Sequence, residues 1–259
     1  KLPTMLLSTH IKGLLGGDLV AIAARPDKGK SSLLAAICTH LAPQIPKCFD
    51  ADRPILWLNN EGSGKQIVPR VYQAALKVDG DVLQQYNAEG TLVDRYIKAV
   101  GHKYRIRVKD MHGASFAQIE QVIEAMNPCV VLFDMVANFR GGLGGGSSGG
   151  NKTDEIESKW QAMREMAVQH DFIAFGTIQI SADGDDMLYP PYGALKDSKT
   201  SVQGAVDILL MLGALNSPDM QSVRGLSTPK NKRQLPKMPS YVQGQVHFDA
   251  AKCQFLDGE

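Results

Sequence analysis

The segment that most constrains this chain is Ala23–Ser32, which reads AARPDKGKSS. It follows a short apolar run, Leu19–Ala24, that predicts a strand, and it precedes a helical pattern from about Lys30 to His40. A glycine-containing turn between a strand and a helix points backbone N–H groups and the helix N-terminus at an anion, so phosphates bind there. The segment therefore predicts a P-loop within an α/β fold.

Each residue type in this loop has an expected role. Lys30 is expected to reach the β- and γ-phosphates, and the Ser31 hydroxyl is expected to ligate Mg²⁺. Ala24 stands where the general motif has its first glycine, and its Cβ is tolerated there only if φ stays negative. The cofactors implied are ATP, or another NTP, and Mg²⁺. The predicted nucleotide-binding residues are Ala24, Arg25, Pro26, Asp27, Lys28, Gly29, Lys30, Ser31 and Ser32.

Two carboxylates stand at the ends of other apolar runs. Leu56–Glu61 reads LWLNNE, and Val130–Asp134 reads VVLFD. Ligands of open parallel sheets bind in the crevice at the carboxyl ends of the strands. We therefore expect Glu61 to face the nucleotide, and Asp134 to bind Mg²⁺ as the acidic residue of a Walker-B-like strand.

Strands and helices alternate along the rest of the chain. Further strands are predicted at Ile55–Leu58, Tyr104–Val108, Cys129–Phe133, Phe172–Ile178 and Val206–Leu212, with a hairpin at Gln245–Phe248 and Cys253–Leu256. One helix is predicted at Gln66–Val78. A second helix begins after Ser115, which is expected to cap it with Gln118 three residues later. A third helix has an apolar face formed by Ile156, Trp160, Met163 and Ala167. The pattern predicts one α/β domain over residues 1–259, with a mostly parallel central sheet, helices on both faces and a C-terminal β-hairpin.

One segment departs from this alternation. Gly141–Gly150 reads GGLGGGSSGG, a composition that gives a flexible coil with no side chains to bury. Both a native mobile loop and an engineered linker have this composition, and the fold prediction does not depend on which it is.

Composition narrows the class of protein. The 28 Lys and Arg nearly balance the 27 Asp and Glu, which excludes bulk coating of DNA but leaves room for a few local contacts. There is no long apolar run and no basic-then-apolar leader, so a soluble, cytoplasmic protein without membrane contact is expected. The four scattered cysteines predict reduced thiols, not a disulfide frame or a zinc site.

The P-loop resembles that of one particular family. AARPxxGK[ST], with alanine in place of the first glycine, is similar to the loop of DnaB-type replicative helicases, the hexameric ring helicases with a RecA fold. The resemblance runs from about Ser8 to Leu256, and over this length the chain is similar to the ring helicases of bacteriophages. It implies the RecA-like motor domain of a homo-hexamer that hydrolyses ATP and moves 5′→3′ on single-stranded DNA at a replication fork. A primase or loader is an implied partner, and the cytoplasm of a bacterial or phage-infected cell is the implied location.

The resemblance also implies roles for individual residues. Glu61 matches the catalytic glutamate that positions or deprotonates the attacking water, and Gln179 matches a residue that senses the γ-phosphate. The KNKR run at Lys230–Arg233 matches cations that reach the neighbouring subunit's γ-phosphate. The register of that pair is open by one residue, and the planar guanidinium favours Arg233, with Lys232 beside it.

DNA contact is expected from the loops that follow the Asp134 and Gln179 strands. Sequence-independent grip on phosphates requires lysines, arginines and backbone N–H groups. The cations in or beside these loops are Arg140, Lys152, Lys196 and Lys199.

Two other functions use the same nucleotide site. A RecA-like DNA-dependent ATPase would form filaments or mediate recombination without unwinding. A nucleotide-dependent assembly module would use ATP to stabilise a ring and would perform little work.

Overall fold

Every strand that the structure describes joins a single sheet. The structure is a computed structural model, and it describes residues 1–50, 52–142, 152–195 and 201–258. The strand order is β3-β2-β4-β5-β1-β6-β7-β8-β9. The strands are β1 Leu19–Ala24, β2 Ile55–Asn59, β3 Ile106–Asp110, β4 Val130–Asp134, β5 Ile173–Gln179, β6 Ile208–Gly213, β7 Val223–Asn231, β8 Gln243–Asp249 and β9 Gln254–Asp257.

The first six strands of the chain run parallel to one another, and each of the last three pairs antiparallel with the strand before it. The sequence-based prediction of a mostly parallel sheet with a C-terminal hairpin is therefore confirmed. We call the side where Ala24 ends β1 the carboxyl edge, and the opposite side the amino edge. The antiparallel pairing of β6 with β7 places Asn231 opposite Ile208, at the amino edge.

Helices cover both faces of the sheet, as predicted. The helices are α1 Met5–His10, α2 Lys30–Leu41, α3 Gly64–Leu76, α4 Gly80–Ala88, α5 Leu92–Val100, α6 Phe116–Met126, α7 Lys152–Gln169 and α8 Ser201–Ala205. On one face α2, α3 and α5 bury Leu33, Val71 and Tyr96. On the other, α6 and α7 bury Ile119 and Trp160. Both faces of the central strands are thus buried, which explains their continuously apolar sequences.

Local signals account for several boundaries. The Ser115 side chain accepts from the Gln118 backbone N–H, and the Gln118 side chain accepts from the Ser115 backbone N–H, which is the predicted capping box of α6. Helix α3 begins at Gly64, two residues earlier than predicted, because the Ser63 hydroxyl accepts from the Lys65 backbone N–H.

Strand β3 begins two residues later than predicted. Pairing with β2 starts at Ile106, opposite Ile55, while Arg105 before it turns inward and donates to the Arg53 carbonyl at 3.2 Å. Tyr104, which the prediction placed in the strand, is exposed. Within the described residues, no helix is long and apolar enough to cross a membrane.

Candidate nucleotide-binding site

The loop that joins β1 to α2 has the backbone that a phosphate-binding loop needs. Ala24 ends β1, is buried and keeps a negative φ, so the alanine at the first motif position is accommodated as expected. Gly29 has a φ of +100°, in the left-handed region. A Cβ on Gly29 would lie 3.1 Å from the Phe248 ring, so a glycine is required on two counts.

Three charged side chains from separate elements meet beside this loop. The Lys30 Nζ at the start of α2 lies 2.9 Å from a Glu61 carboxylate oxygen and 3.8 Å from an Asp134 oxygen. The Lys30 side chain is only 10% exposed, so the attraction is weakly screened by solvent. The sequence-predicted lysine, glutamate and aspartate are therefore brought together as expected.

Asp134 is the most buried of the three. It ends β4, and one carboxylate oxygen accepts from the Thr177 hydroxyl at 2.8 Å. Burial raises the pKa of Asp134 above its ordinary value, while the Lys30 ammonium and the Thr177 hydroxyl act in the opposite direction. A buried carboxylate with a serine hydroxyl on the same cleft wall is an all-oxygen donor set, which suits Mg²⁺. The residues present therefore fit the metal that the P-loop implies.

Asn60 connects the strands that carry the two acids. Its side chain accepts from the Met135 backbone N–H at 2.6 Å and donates to the Met135 carbonyl at 3.1 Å. Its own backbone N–H donates to the Asp134 carbonyl at 2.8 Å. This pairing continues the β2–β4 register past the strand ends, and so sets where Glu61 emerges. Sequence reasoning missed Asn60, for which the doubled asparagine of LWLNNE was the available signal.

A cleft of about 520 Å³ surrounds these groups. It is lined by Arg25, Pro26, Asp27, Gly29, Lys30, Ser31, Ser32, Asn59, Glu61, Gly62, Ser63, Gln66, Ile67, Arg70, Gln73, Asp134, Phe248, Ala250 and Cys253. The C-terminal strands therefore form part of the wall, which no local sequence pattern indicated. The Arg224 guanidinium lies 4.6 Å from the Phe248 ring centroid and donates to the Lys28 carbonyl at 2.8 Å, so it ties this wall to the P-loop.

Two cations of the loop point away from the cleft centre. Arg25 donates to the Ile180 carbonyl at 3.2 Å and lies 3.6 Å from Asp185. Lys28 donates to the Asn216 side chain. These contacts link the P-loop to the segments that follow β5 and β6.

Gln179 is the last residue of β5 and lies opposite Ala24 in register. Its side chain lines a separate cavity of about 150 Å³ with Asn138 and Trp160 among its neighbours. It makes no side-chain hydrogen bond to any residue that the structure describes. Gln179 is thus beside the P-loop strand and not in the wall of the main cleft.

The KNKR run lies at the amino edge, on the far side of the sheet from the P-loop. Lys232 is 54% exposed and lies 3.7 Å from Asp207, whereas Arg233 is held 3.3 Å from Asp18 and donates to the Gly13 carbonyl at 2.8 Å. Lys230 and Asn231 end β7.

The turn that carries these cations is also bound to the segment that follows α1. The Lys12 backbone N–H donates to the Arg233 carbonyl at 2.7 Å, and the Leu235 backbone N–H donates to the His10 carbonyl at 3.1 Å. The Asn231 side chain donates to the same His10 carbonyl at 3.2 Å.

The predicted DNA-contacting residues are only partly described. Arg140 is exposed, and its guanidinium lies 3.4 Å from where a Cβ on Gly113 would stand. Lys152 begins α7, but its side chain lies outside the description, as do Lys196 and Lys199 and most of the Gly141–Gly150 segment.

Comparisons with known proteins bear on this site. A family model of the AAA domain matches residues 6–184. The replicative DNA helicase DnaB of Buchnera aphidicola subsp. Baizongia pistaciae (strain Bp) is 33% identical over 78 residues, a match that covers 30% of this chain and 16% of that helicase.

Two solved structures superpose on nearly the whole chain. A DnaB-like replicative helicase, solved in a study of its interactions with primase, has a TM-score of 0.74 at 16% identity, over 95% of this chain and 58% of that one. The second structure, an ATPase domain, has a TM-score of 0.75 at 17% identity, over 95% of this chain and 87% of that one. The predicted RecA-like α/β core is confirmed, as is the resemblance to DnaB-type helicases.

Proposed function

Because the chain belongs to the AAA domain family, we propose that it is the ATP-hydrolysing motor domain of a DnaB-type replicative DNA helicase. The observation that carries this proposal is the convergence of Lys30, Glu61 and Asp134 beside the P-loop. The proteins that it matches are described as replicative helicases or as an ATPase domain. This chain spans 16% of the matched DnaB helicase and 58% of the DnaB-like helicase of known structure.

Binding of the triphosphate rearranges the charges of the site. The P-loop cradles the phosphates of ATP or another NTP, and the Lys30 ammonium moves from Glu61 to the γ-phosphate. Glu61 is then free to accept a proton from the attacking water. Ser31 and Asp134 would hold Mg²⁺, which would supply positive charge to offset the negative charge of the phosphates. Gln179, at the end of the strand next to β1, senses the γ-phosphate once its side chain turns from its own cavity towards the P-loop.

The position of the KNKR run supports a head-to-tail ring. Lys232 and Arg233 lie at the amino edge, so they cannot reach the P-loop of their own subunit. In a head-to-tail arrangement, the amino edge of one subunit meets the carboxyl edge of the next, and such contacts close into a ring when the rotation between subunits closes and form a filament when it does not. We propose a homo-hexamer in which these cations complete the neighbour's site, so that an isolated subunit hydrolyses ATP poorly.

DNA passes through the centre of this ring. The loops after β4 and β5, with Arg140, Lys152, Lys196 and Lys199, grip the phosphates of one strand and leave the other outside. The direction is 5′→3′, the substrate is a replication fork, and a primase or loader is the protein partner. Residues 1–259 act as one motor domain in the cytoplasm of a bacterial or phage-infected cell.

Unwinding of a forked DNA tests the proposal. The fork has one 5′ and one 3′ single-stranded tail, and Lys30→Ala serves as the matched inactive control. Strand separation that needs ATP and the 5′ tail, and that is absent in the control, is the expected result. ATP hydrolysis stimulated by single-stranded DNA without unwinding would favour a filament-forming ATPase. ATP-dependent assembly with negligible turnover would favour an assembly module.

A further inference from the structure

Strand β3, at one end of the sheet, carries together with the end of α5 and the loop between them a concentration of positive charge that the nucleotide site does not use. Residues 95–109 contain six Lys or Arg and no Asp or Glu, in a chain whose net charge is only +1. Five of these six cations are exposed, the exception being the buried Arg105. Strand β3 is the last strand of the sheet, so one of its edges has no partner strand among the described residues.

An exposed aromatic ring lies within this charge. Tyr104 is 53% exposed, with the Lys103 ammonium 5.5 Å and the Arg107 guanidinium 5.4 Å from its ring centroid. The His102 ring lies 5.8 Å away. Neither Lys103 nor Arg107 forms an ion pair with a residue that the structure describes. Both cations are therefore available to an anionic ligand.

The register of β3 shows where its cations point. Arg107 lies opposite Leu56, and Lys109 lies opposite Leu58. Both leucines belong to the core on the α6 side of the sheet, so both cations project on that side. They are about 7 Å apart along the strand, which is comparable with the separation of neighbouring phosphates on an extended single strand.

A groove of about 540 Å³ continues from Lys109 along α6. It is lined by Lys109, Asp110, Met111, His112, Gly113, Ala114, Gln118, Gln121, Val122, Ala125 and Met126. The Asp110 carboxylate is already engaged, since it accepts from the Asn59 side chain at 2.6 Å and the Gly64 backbone N–H at 2.9 Å. The Arg140 guanidinium packs on Gly113, so a cation lies at the far end as well.

We infer that Lys103, Tyr104, Arg107 and Lys109, with the adjoining groove along α6, form a binding surface for single-stranded nucleic acid. Cations bind its phosphates, Tyr104 offers a stacking platform, and the groove, whose lining includes two glutamines, accepts a base. Charged edge strands also prevent edge-to-edge pairing of sheets, but that role requires neither an exposed tyrosine between cations nor a groove. The surface leads towards Arg140, at the start of the loop that the proposed function places on DNA.

Salt dependence of oligonucleotide binding tests this inference. Anisotropy of a labelled 12-nucleotide oligothymidylate is titrated with the whole chain at several salt concentrations, without ATP, so that a nucleotide-assembled ring adds no contacts. The double variant Lys103→Gln/Arg107→Gln should lower the slope of log K against log salt by about 1.4, because each phosphate contact on a single strand contributes about 0.7. Tyr104→Ala should weaken binding by about 5- to 150-fold.

A charge-matched control separates local contact from net charge. Lys12→Gln/Lys237→Gln removes two exposed lysines, one in the segment after α1 and one in the loop between β7 and β8, and should keep the original slope. Equal slopes in the two double variants would overturn the inference. Circular dichroism checks that each variant is folded, and all these side chains are exposed.

Photocrosslinking gives the position of the strand directly. An oligonucleotide carrying 5-iodouracil should form adducts within residues 98–126, and these should disappear in Tyr104→Ala. Adducts confined to other segments, or binding of duplex in preference to the single strand, would overturn the inference. Neither assay measures hydrolysis or unwinding. Failure of the inferred binding surface is therefore distinguishable from failure of the proposed helicase function.

Discussion

Replacement of Asn60 by alanine tests whether the two acidic strand ends are positioned by one side chain. The substitution removes two hydrogen bonds and leaves the Met135 backbone N–H without this partner, whereas the Met135 carbonyl still accepts from the Asn138 backbone N–H at 3.2 Å. Asn60 is 7% exposed, so little water reaches the vacated groups. The unsatisfied N–H costs about 1–3 kcal/mol and the second lost hydrogen bond about 0.5–1.5 kcal/mol, which predicts a loss of about 1.5–4.5 kcal/mol in the free energy of unfolding.

Thermal and urea unfolding, followed by far-ultraviolet circular dichroism, measure this loss. At about 2–4 °C per kcal/mol for a chain of this size, the melting temperature should fall by about 3–18 °C. Asn87→Ala is the matched control, because Asn87 is exposed on α4 and should change stability by no more than about 0.5 kcal/mol. Asn60→Asp keeps an acceptor for the Met135 N–H but places a second carboxylate near Asp134, and should also destabilise. A loss below about 0.5 kcal/mol in Asn60→Ala would refute the reasoning.

Three further changes test the catalytic site. Glu61→Gln should bind nucleotide but hydrolyse it at least about 100-fold more slowly in a single-turnover assay, and an unchanged kcat would place the base elsewhere. Arg233→Ala should lose about 10³-fold in steady-state hydrolysis, and mixing it with Lys30→Ala should restore activity at composite interfaces; a mixture no more active than its parts contradicts action across subunits. Gly29→Ala should abolish the nucleotide-induced rise in melting temperature, since the left-handed backbone costs about 1–3 kcal/mol and the Phe248 ring must shift to admit the new methyl group. A normal rise in that variant would mean that the loop binds in another conformation.

The features that sequence predicted best are those that a few consecutive residues determine. The bounds of β1 and the start of α2 follow from one apolar run and one glycine-containing turn. The convergence of Lys30 with Glu61 and Asp134 follows from the rule that parallel strands end at a common edge. The roles of these residues remain predictions until their variants are assayed.

Other features depend on contacts that no local pattern contains. Strand β7 reads VRGLSTPKN, and its glycine and proline disfavour a strand. Gly225 is nevertheless paired on both sides, with β6 and β8, whereas Pro229 lies at a register shift against β6, where a ladder hydrogen bond is not needed. Helices α4 and α5 were not predicted, although Asp79 caps the first of them. Phe248 reaches the P-loop from more than 200 residues along the chain, so only the folded structure reveals it as part of the cleft.

The attachment of the cation-bearing turn to the segment after α1 has a mechanical consequence. Hydrogen bonds at His10, Lys12 and Gly13 join that segment to the turn of Lys232 and Arg233. A displacement of that segment is therefore passed to the turn, which the Lys232 backbone N–H also ties to the Asp207 carbonyl beside β6 at 2.9 Å. In the proposed ring, tension on the segment after α1 of one subunit would change the distance between the Lys232 and Arg233 cations of that subunit and the nucleotide phosphates bound by its neighbour. Strain in this segment would thus change the rate of ATP hydrolysis at the site of the neighbouring subunit.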